Sequence, residues 1–252
     1  MSAGIVTLLT DFGLRDGYVG AVKGALLSRN PRLRLVDVSH DLEPGDVTAA
    51  AWALRQSAPA FPPGCVHLVV VDPGVGGERR GLACRSGSQL FVAPDNGVLH
   101  WILGDAPIVR SLAVADSASP VFHGRDVFAP AAAALAAGAA LEPLGPGVEP
   151  DSLVRLPFAP AERGGDTWRG TVVHVDRFGN AITDLELPAD VRGVAEVTDR
   201  AVPLRRTYSD VADGEPVALR GSSDTLELSC NGSSAARSLG IGLGDVIVFR
   251  VD

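Results

Sequence analysis

The sequence lacks the local signatures of the commonest nucleotide and ester chemistries. It contains no G-x-x-x-x-G-K-[ST] and no G-x-G-x-x-G run, so phosphate-cradling folds have no support. A G-x-S-x-G elbow is also missing, which argues against a serine hydrolase. No H-x-x-x-H or C-x-x-C pair occurs, and arginines stand beside the candidate aspartates and histidines, where they would oppose a dication. The expectation is therefore no metal. Positive charge is scarce as well: 22 Lys and Arg face 30 Asp and Glu, a net charge of -8. That balance argues against binding nucleic acid or an anionic membrane, because either needs a basic patch to replace counterions. No apolar run reaches the roughly 18 residues of a membrane span, and Met1-Ser2-Ala3-Gly4 leads into a strand-like stretch with no basic leader. Cysteine is sparse, with Cys65, Cys84 and Cys230 odd in number, widely spaced and set among apolar residues. They read as free thiols in a reducing compartment, and the expected location is cytoplasmic.

What is present is ample apolar material, 46% of 252 residues, enough for one large domain or two smaller ones. The chain is organised around Val69-Val70-Val71-Asp72-Pro73-Gly74-Val75-Gly76-Gly77-Glu78-Arg79-Arg80. Its β-branched, non-alternating start predicts a strand covered on both faces. Pro73 and the glycines should end that strand at Asp72 and open a tight loop. Asp72 and Arg79 would then stand at the carboxyl edge of a sheet, where open α/β folds hold ligands.

The flanking pattern is β-α-β-α-β: a strand at Ile5–Leu9, a helix over about 19–27, a strand over 33–38, an Ala-rich helix ending near Ser57, and the central strand. Asp16, Asp46 and Asp126 read as helix N-caps, and 98–103 as a short helix. This predicts an N-terminal α/β domain with a mainly parallel central sheet over residues 1–150. Prolines and glycines crowd the chain from Leu141 onward, and residues 151–166 read as a linker. Regularly spaced short strands over 167–252 predict a smaller all-β domain, a barrel or sandwich.

Four polar clusters interrupt apolar elements in the first domain: Asp11 with Asp16, His40 with Asp41, Asp72 with Arg79, and His123 with Arg125. Converging on one sheet edge, a carboxylate, a guanidinium and an imidazole could position and deprotonate a water. Each cluster also has an ordinary structural reading, as a turn aspartate, a cap or a packed histidine. In the second domain, Asp176-Arg177-Phe178-Gly179-Asn180 and the Ser229–Ala236 stretch place amides beside glycine, which turn chemistry alone could explain.

The motifs Thr10-Asp11-Phe12-Gly13, Asp37-Val38-Ser39-His40, Val71–Gly76, Ala93-Pro94-Asp95-Asn96-Gly97, Phe122–Asp126 and Asp176–Asn180 occur in order along nearly the whole chain. Together they resemble the S-adenosyl-L-methionine (SAM) hydroxide adenosyltransferases, water-using relatives of the fluorinase and chlorinase enzymes. The resemblance implies attack of water or hydroxide on ribose C5′ of SAM, giving adenosine and L-methionine with no cofactor. It implies a homotrimer with active sites between subunits. It carries the water-activating set onto Asp72, Arg79 and His123, and the ribose-diol carboxylate onto Asp11. The methionine end falls to Asp176 and Asn180, with Phe178 between them also counted as substrate-binding, and the adenine edge to the segment with Ser229 and Asn231. Asp72, Val75 and Gly124 stand where the halogenases build a dry halide pocket, and Gly45 where they carry tryptophan. A carboxylate there would repel a halide. A halogenase and a SAM- or adenosine-binding protein without turnover remain the alternatives.

Overall fold

A computed structural model describes residues 3–252; Met1 and Ser2, on which the expectation of no basic leader partly falls, lie outside the described residues. The chain divides into two compact units, one ending at Leu156 and the other running from Pro157 to Asp252.

In the first unit β1 (Ile5–Thr10), α1 (Tyr18–Arg29), β2 (Arg34–Ser39), α2 (Val47–Ser57) and β3 (Val66–Val70) follow one another as expected. Next come β4 (Gly81–Ser86), β5 (Gln89–Pro94), β6 (Ile108–Ser111) and α3 (Ala129–Ala136). The six strands form one sheet in the order β2-β1-β3-β5-β4-β6. The sheet is mixed rather than mainly parallel: β2, β1, β3 and β5 pair in parallel, but β4 is antiparallel to both β5 and β6. The reason is local. Gly87 takes a positive φ of 55° in the tight connection Ser86–Gln89, and so short a connection can only join antiparallel neighbours.

Every residue of β3 is buried, which accounts for its lack of alternation and for the aliphatic residues on both sides of His67. Val6, Leu8, Val66, Leu68 and Val70 share one face with Val22 and Leu26 of α1 and with the alanines of α3. The alternate residues point to the opposite face. There His67 is buried, stacked on Phe91 with ring centroids 5.1 Å apart and bonded through Nδ1 to Thr7 Oγ1 at 2.8 Å.

Three local expectations fail. Asp46 caps α2, accepting from Ala49 N at 2.8 Å, but α1 begins after Gly17 with no side-chain cap, so Asp16 has no such role. Asp126 sits inside a π-helical segment, Gly124–Phe128, that precedes α3. Its carboxylate bonds Arg125 and Ser119 N instead. Residues 98–102 form turns rather than a helix, with backbone bonds reaching three residues back from His100 N to Gly97 O and from Ile102 N to Leu99 O. The proline-rich segment is fastened to the first unit as far as Leu156, whose N–H donates to His100 Nδ1 at 3.1 Å.

The second unit contains β7 (Glu162–Gly164), β8 (Thr167–Val175), β9 (Ala181–Glu186), β10 (Gly193–Val197), β11 (Arg200–Arg205), β12 (Pro216–Arg220), β13 (Thr225–Cys230), the short α4 (Ala235–Leu239) and β14 (Val246–Val251). β8-β9-β13-β12-β11-β10-β14 closes on itself through the β14–β8 pairing into a seven-stranded barrel, and β7 pairs with β8 outside the ring. Inward residues such as Val172, Leu185, Ala195, Leu228 and Phe249 form its core. All three cysteines are free and buried. No helix among the described residues is long and apolar enough to cross a membrane.

Candidate active site

β1 and β3 are neighbours running the same way, so the residues that follow them, Asp11 and Asp72, emerge at one sheet edge. Both line a cleft of about 640 Å³, together with His123 and Gly45. Asp72 follows Val71 at the point where Pro73 ends the strand. Its side chain is 4% exposed and is gripped by Arg79, whose Nε lies 2.9 and 3.0 Å from the two carboxylate oxygens. Arg79 Nη2 adds a bond to Asp72 Oδ2, and the guanidinium lies 5.3 Å from the centre of the buried Phe128 ring.

The same Nη2 reaches His123 Nδ1 at 2.9 Å. A guanidinium can only donate, so Nδ1 is the acceptor and neutral His123 carries its proton on Nε2. Burial, and then the Arg79 charge, hold the His123 pKa below the ordinary histidine value, against the opposing pull of Asp72 and Asp126. The result is a chain of Asp72, Arg79 and neutral His123, two of which face the cleft. The fit is close at the back, where a Cβ on Gly124 would stand 2.9 Å from Val70 Cγ1.

Asp11 Oδ2 accepts from Gly45 N at 2.8 Å, a contact that Gly45 reaches at a φ of +79°. Beside Asp11, Phe12, Tyr18 and Phe122 form a mutual cluster with centroids 5.9, 6.1 and 5.6 Å apart, giving the cleft an apolar wall. His40 does not reach the cleft. It is buried, with Nδ1 2.8 Å from Thr10 Oγ1 and Nε2 3.0 Å from Asp37, and it braces β1 against β2.

The candidates of the second unit divide. Phe178 and Asn180 line a separate cleft of about 500 Å³ with Tyr208, Ser233, Ser234 and Arg237. Asp176 closes the β8–β9 turn: its carboxylate takes Phe178 N–H, Asn180 N–H and the Asn180 side-chain amide, all at 2.9 Å. Ser229 is fully buried and donates to Glu227 Oε1 at 2.7 Å. Asn231 is not among the lining residues, although Cys230 and Gly232 on either side of it are, and its amide donates to Val211 O at 3.0 Å. Tyr208 and Arg237, which also line this cleft, carry no local signature in the sequence. Tyr208 donates to Glu227 Oε1 at 2.9 Å, and burial together with that carboxylate pushes its pKa up to about 12, so the phenol stays protonated. Among the described residues no three His, Cys, Asp or Glu side chains are grouped to hold a metal ion.

Comparison with known proteins agrees with this architecture. Residues 6–145 match the family model described as the SAM hydroxide adenosyltransferase N-terminal domain, and residues 170–248 match that of the C-terminal domain. A Thermus thermophilus protein named (R)-S-adenosyl-L-methionine hydrolase is 46% identical over 95% of this chain and 96% of its own. One of the same name from Salinispora tropica is 40% identical over 95% of each. A Nocardia brasiliensis fluorinase is 26% identical over 98% of this chain and 97% of its own. A crystal structure of an uncharacterized conserved protein from Thermotoga maritima superposes with a TM-score of 0.86 at 32% identity, covering 97% of this chain and 99% of that one. With family models spanning both units, the chain belongs to the SAM hydroxide adenosyltransferase family.

Proposed function

We propose that this protein hydrolyses S-adenosyl-L-methionine to adenosine and L-methionine. The observation that carries the reading is the hydrogen-bonded Asp72–Arg79–His123 chain facing a cleft at the carboxyl edge of β1 and β3. It is supported by relatives at 40% and 46% identity named (R)-S-adenosyl-L-methionine hydrolase.

In this reading a water held by Asp72 and by the Nε2–H of His123 attacks C5′. The O–C5′ bond forms as the C5′–S bond breaks, and that electron pair returns to sulfur as the neutral thioether of methionine. Sulfonium is a good leaving group, so no acid is needed, and the work is alignment and hydroxide character. Asp72 takes the water's proton. Arg79, bonded to both Asp72 and His123 behind the cleft wall, favours the negative charge that develops there. Asp11 holds the ribose diol, and the carboxylates suit a cationic substrate. Asp176 and Asn180 serve the methionine end, Phe178 contacts substrate beside them, and the segment with Ser229 and Asn231 serves the adenine edge. The active form is a homotrimer with its sites completed between subunits, working without metal or cofactor in the cytoplasm.

The test is incubation with SAM, with and without chloride and EDTA, and separation of products by chromatography and mass spectrometry. Adenosine and methionine in equal amounts, unchanged by EDTA, are expected. A chlorinated nucleoside would replace this reading with a halogenase, and tight binding without methionine release would reduce it to a binding protein. Light scattering tests the trimer.

A further inference from the structure

The loop that carries Asp72 and Arg79 has little to hold it from within. Gly74, Gly76 and Gly77 supply no side chains, and Pro73, Gly74 and Gly76 to Glu78 are exposed. Its two ends are fastened by adjacent residues of one motif, Ala93-Pro94-Asp95-Asn96-Gly97, which continues β5 past its last residue. β5 lies between β3 and β4 in the sheet, so its extension emerges between the two ends of the loop.

On the β3 side, Asn96 Nδ2 donates to Val71 O at 2.9 Å, the carbonyl immediately before Asp72. The amide cannot be turned the other way, because Asn96 Oδ1 takes Val98 N–H at 3.2 Å. On the β4 side, Asp95 grips Arg80, the residue immediately after Arg79, twice. Asp95 N donates to Arg80 O at 2.9 Å, and Asp95 Oδ2 accepts from Arg80 Nε at 2.8 Å. Asp95 is itself immobilised, being 5% exposed with Oδ1 accepting from Val154 N at 3.0 Å. Arg80 is held from its far side by Ser152, through Oγ at 3.1 Å and the carbonyl at 2.6 Å.

We propose that Asp95 and Asn96 are positioning residues, a two-ended staple that fixes the spacing of Asp72 and Arg79 and so delivers Arg79 to His123. This rests on the reading of those three residues as the reacting set. Neither residue touches the cleft that Asp72 and His123 line. Their effect passes through the backbone at Val71 and Arg80. A group held within hydrogen-bond reach of a reacting water loses rate steeply when displaced, while binding made elsewhere is unaffected.

The test uses Asn96→Asp, which keeps the shape but sets a carboxylate against the Val71 carbonyl, with Asn96→Ala and Asp95→Asn beside it. A fall in kcat of about 10- to 100-fold with KM for SAM within about threefold is expected, as for displacements of order 1 Å. Wild-type kcat in folded variants, with only a lowered Tm, would overturn the proposal and leave the staple purely structural. A second readout needs no turnover. The ¹⁵N signal of His123 Nδ1, one of five histidines, reports whether Arg79 still donates to it, and it should move toward the value of an unbonded ring nitrogen in the variants. An unchanged signal would likewise overturn the staple. If the wild-type protein itself fails to turn over SAM, the proposed reaction is wrong, while the His123 signal still decides whether Asp95 and Asn96 position Arg79.

Discussion

The two clefts are built from opposite materials. In the first unit, Asp11 and Asp72 stand at the ends of neighbouring parallel strands, and Asp72 is wired through Arg79 to the neutral His123. In the second, the lining comes from turns and from the start of a short helix, and hydroxyls and amides outnumber charges. The carboxylates Asp176 and Glu227 there are spent on backbone N–H groups, an amide and two hydroxyls. A linked set of ionisable groups suits bond making and breaking, whereas neutral donors fixed by local turns suit recognition.

The sharpest way to break this contrast is to remove the linked groups. Asp72→Asn, Arg79→Met and His123→Ala should each lower kcat by roughly 10²- to 10⁴-fold. Steady-state kinetics showing near-wild-type rates in all three would refute the assignment of chemistry to the first cleft.

Acid should separate the units by stability. His67 is buried in the first unit, and burial holds its pKa at about 4 against the ordinary 6.5. A depressed histidine pKa means that the folded state favours the neutral ring. This stabilisation is therefore present above pH 6.5 and is lost as the pH falls from there toward 4. At about 1.4 kcal/mol per pH unit the loss approaches roughly 3 kcal/mol. Urea unfolding of the wild type against His67→Gln across that range should show a flatter pH dependence in the variant.

A matched pair of glycine substitutions gives the smallest effect and the cleanest comparison. Gly76 (φ +76°) abuts Pro120 O, and Gly179 (φ +85°) abuts Ser234, so a Cβ would collide at either place. Each Gly→Ala should cost about 1–3 kcal/mol. Gly76→Ala should act mainly on kcat, because it disturbs the Asp72–Arg79 loop, and Gly179→Ala mainly on KM. Equal effects on both parameters in both variants would erase the distinction between the clefts.

The strands were the legible part of the sequence. Val66–Val71 is apolar apart from His67 and dominated by valine, and the second unit's strands fall where short apolar runs alternate with Gly, Asp and Ser. The loop chemistry of Asp72-Pro73-Gly74 also marks its own position. Less was visible where a local rule had a competitor. Asp126 has the residue type of an N-cap, but Arg125 beside it and Ser119 N claim its carboxylate. The short β6, paired along β4 and bridged on its other side at Arg110 to Gly147, has no strong run of its own. The α4 helix did carry readable ends, Ser234 as N-cap and Gly240 at φ +64° as C-cap, but at five residues it gives no helical period. Contacts across long separations were least visible. Arg79 and His123 are 44 positions apart, and no spacing rule could say that one would meet the other at Nδ1.

The order of strands in the first sheet has a consequence for how the protein is made. β5 lies between β3 and β4 although it follows both along the chain. As the polypeptide leaves the ribosome, β3 and the Asp72 loop therefore emerge before the strand that must sit beside them. The carbonyls of Val71 and Arg80 wait, hydrated, until residues 95 and 96 arrive. The loop that carries Asp72 and Arg79 is thus completed by a later segment, and synthesis cut short at β4 yields the loop's residues without its shape.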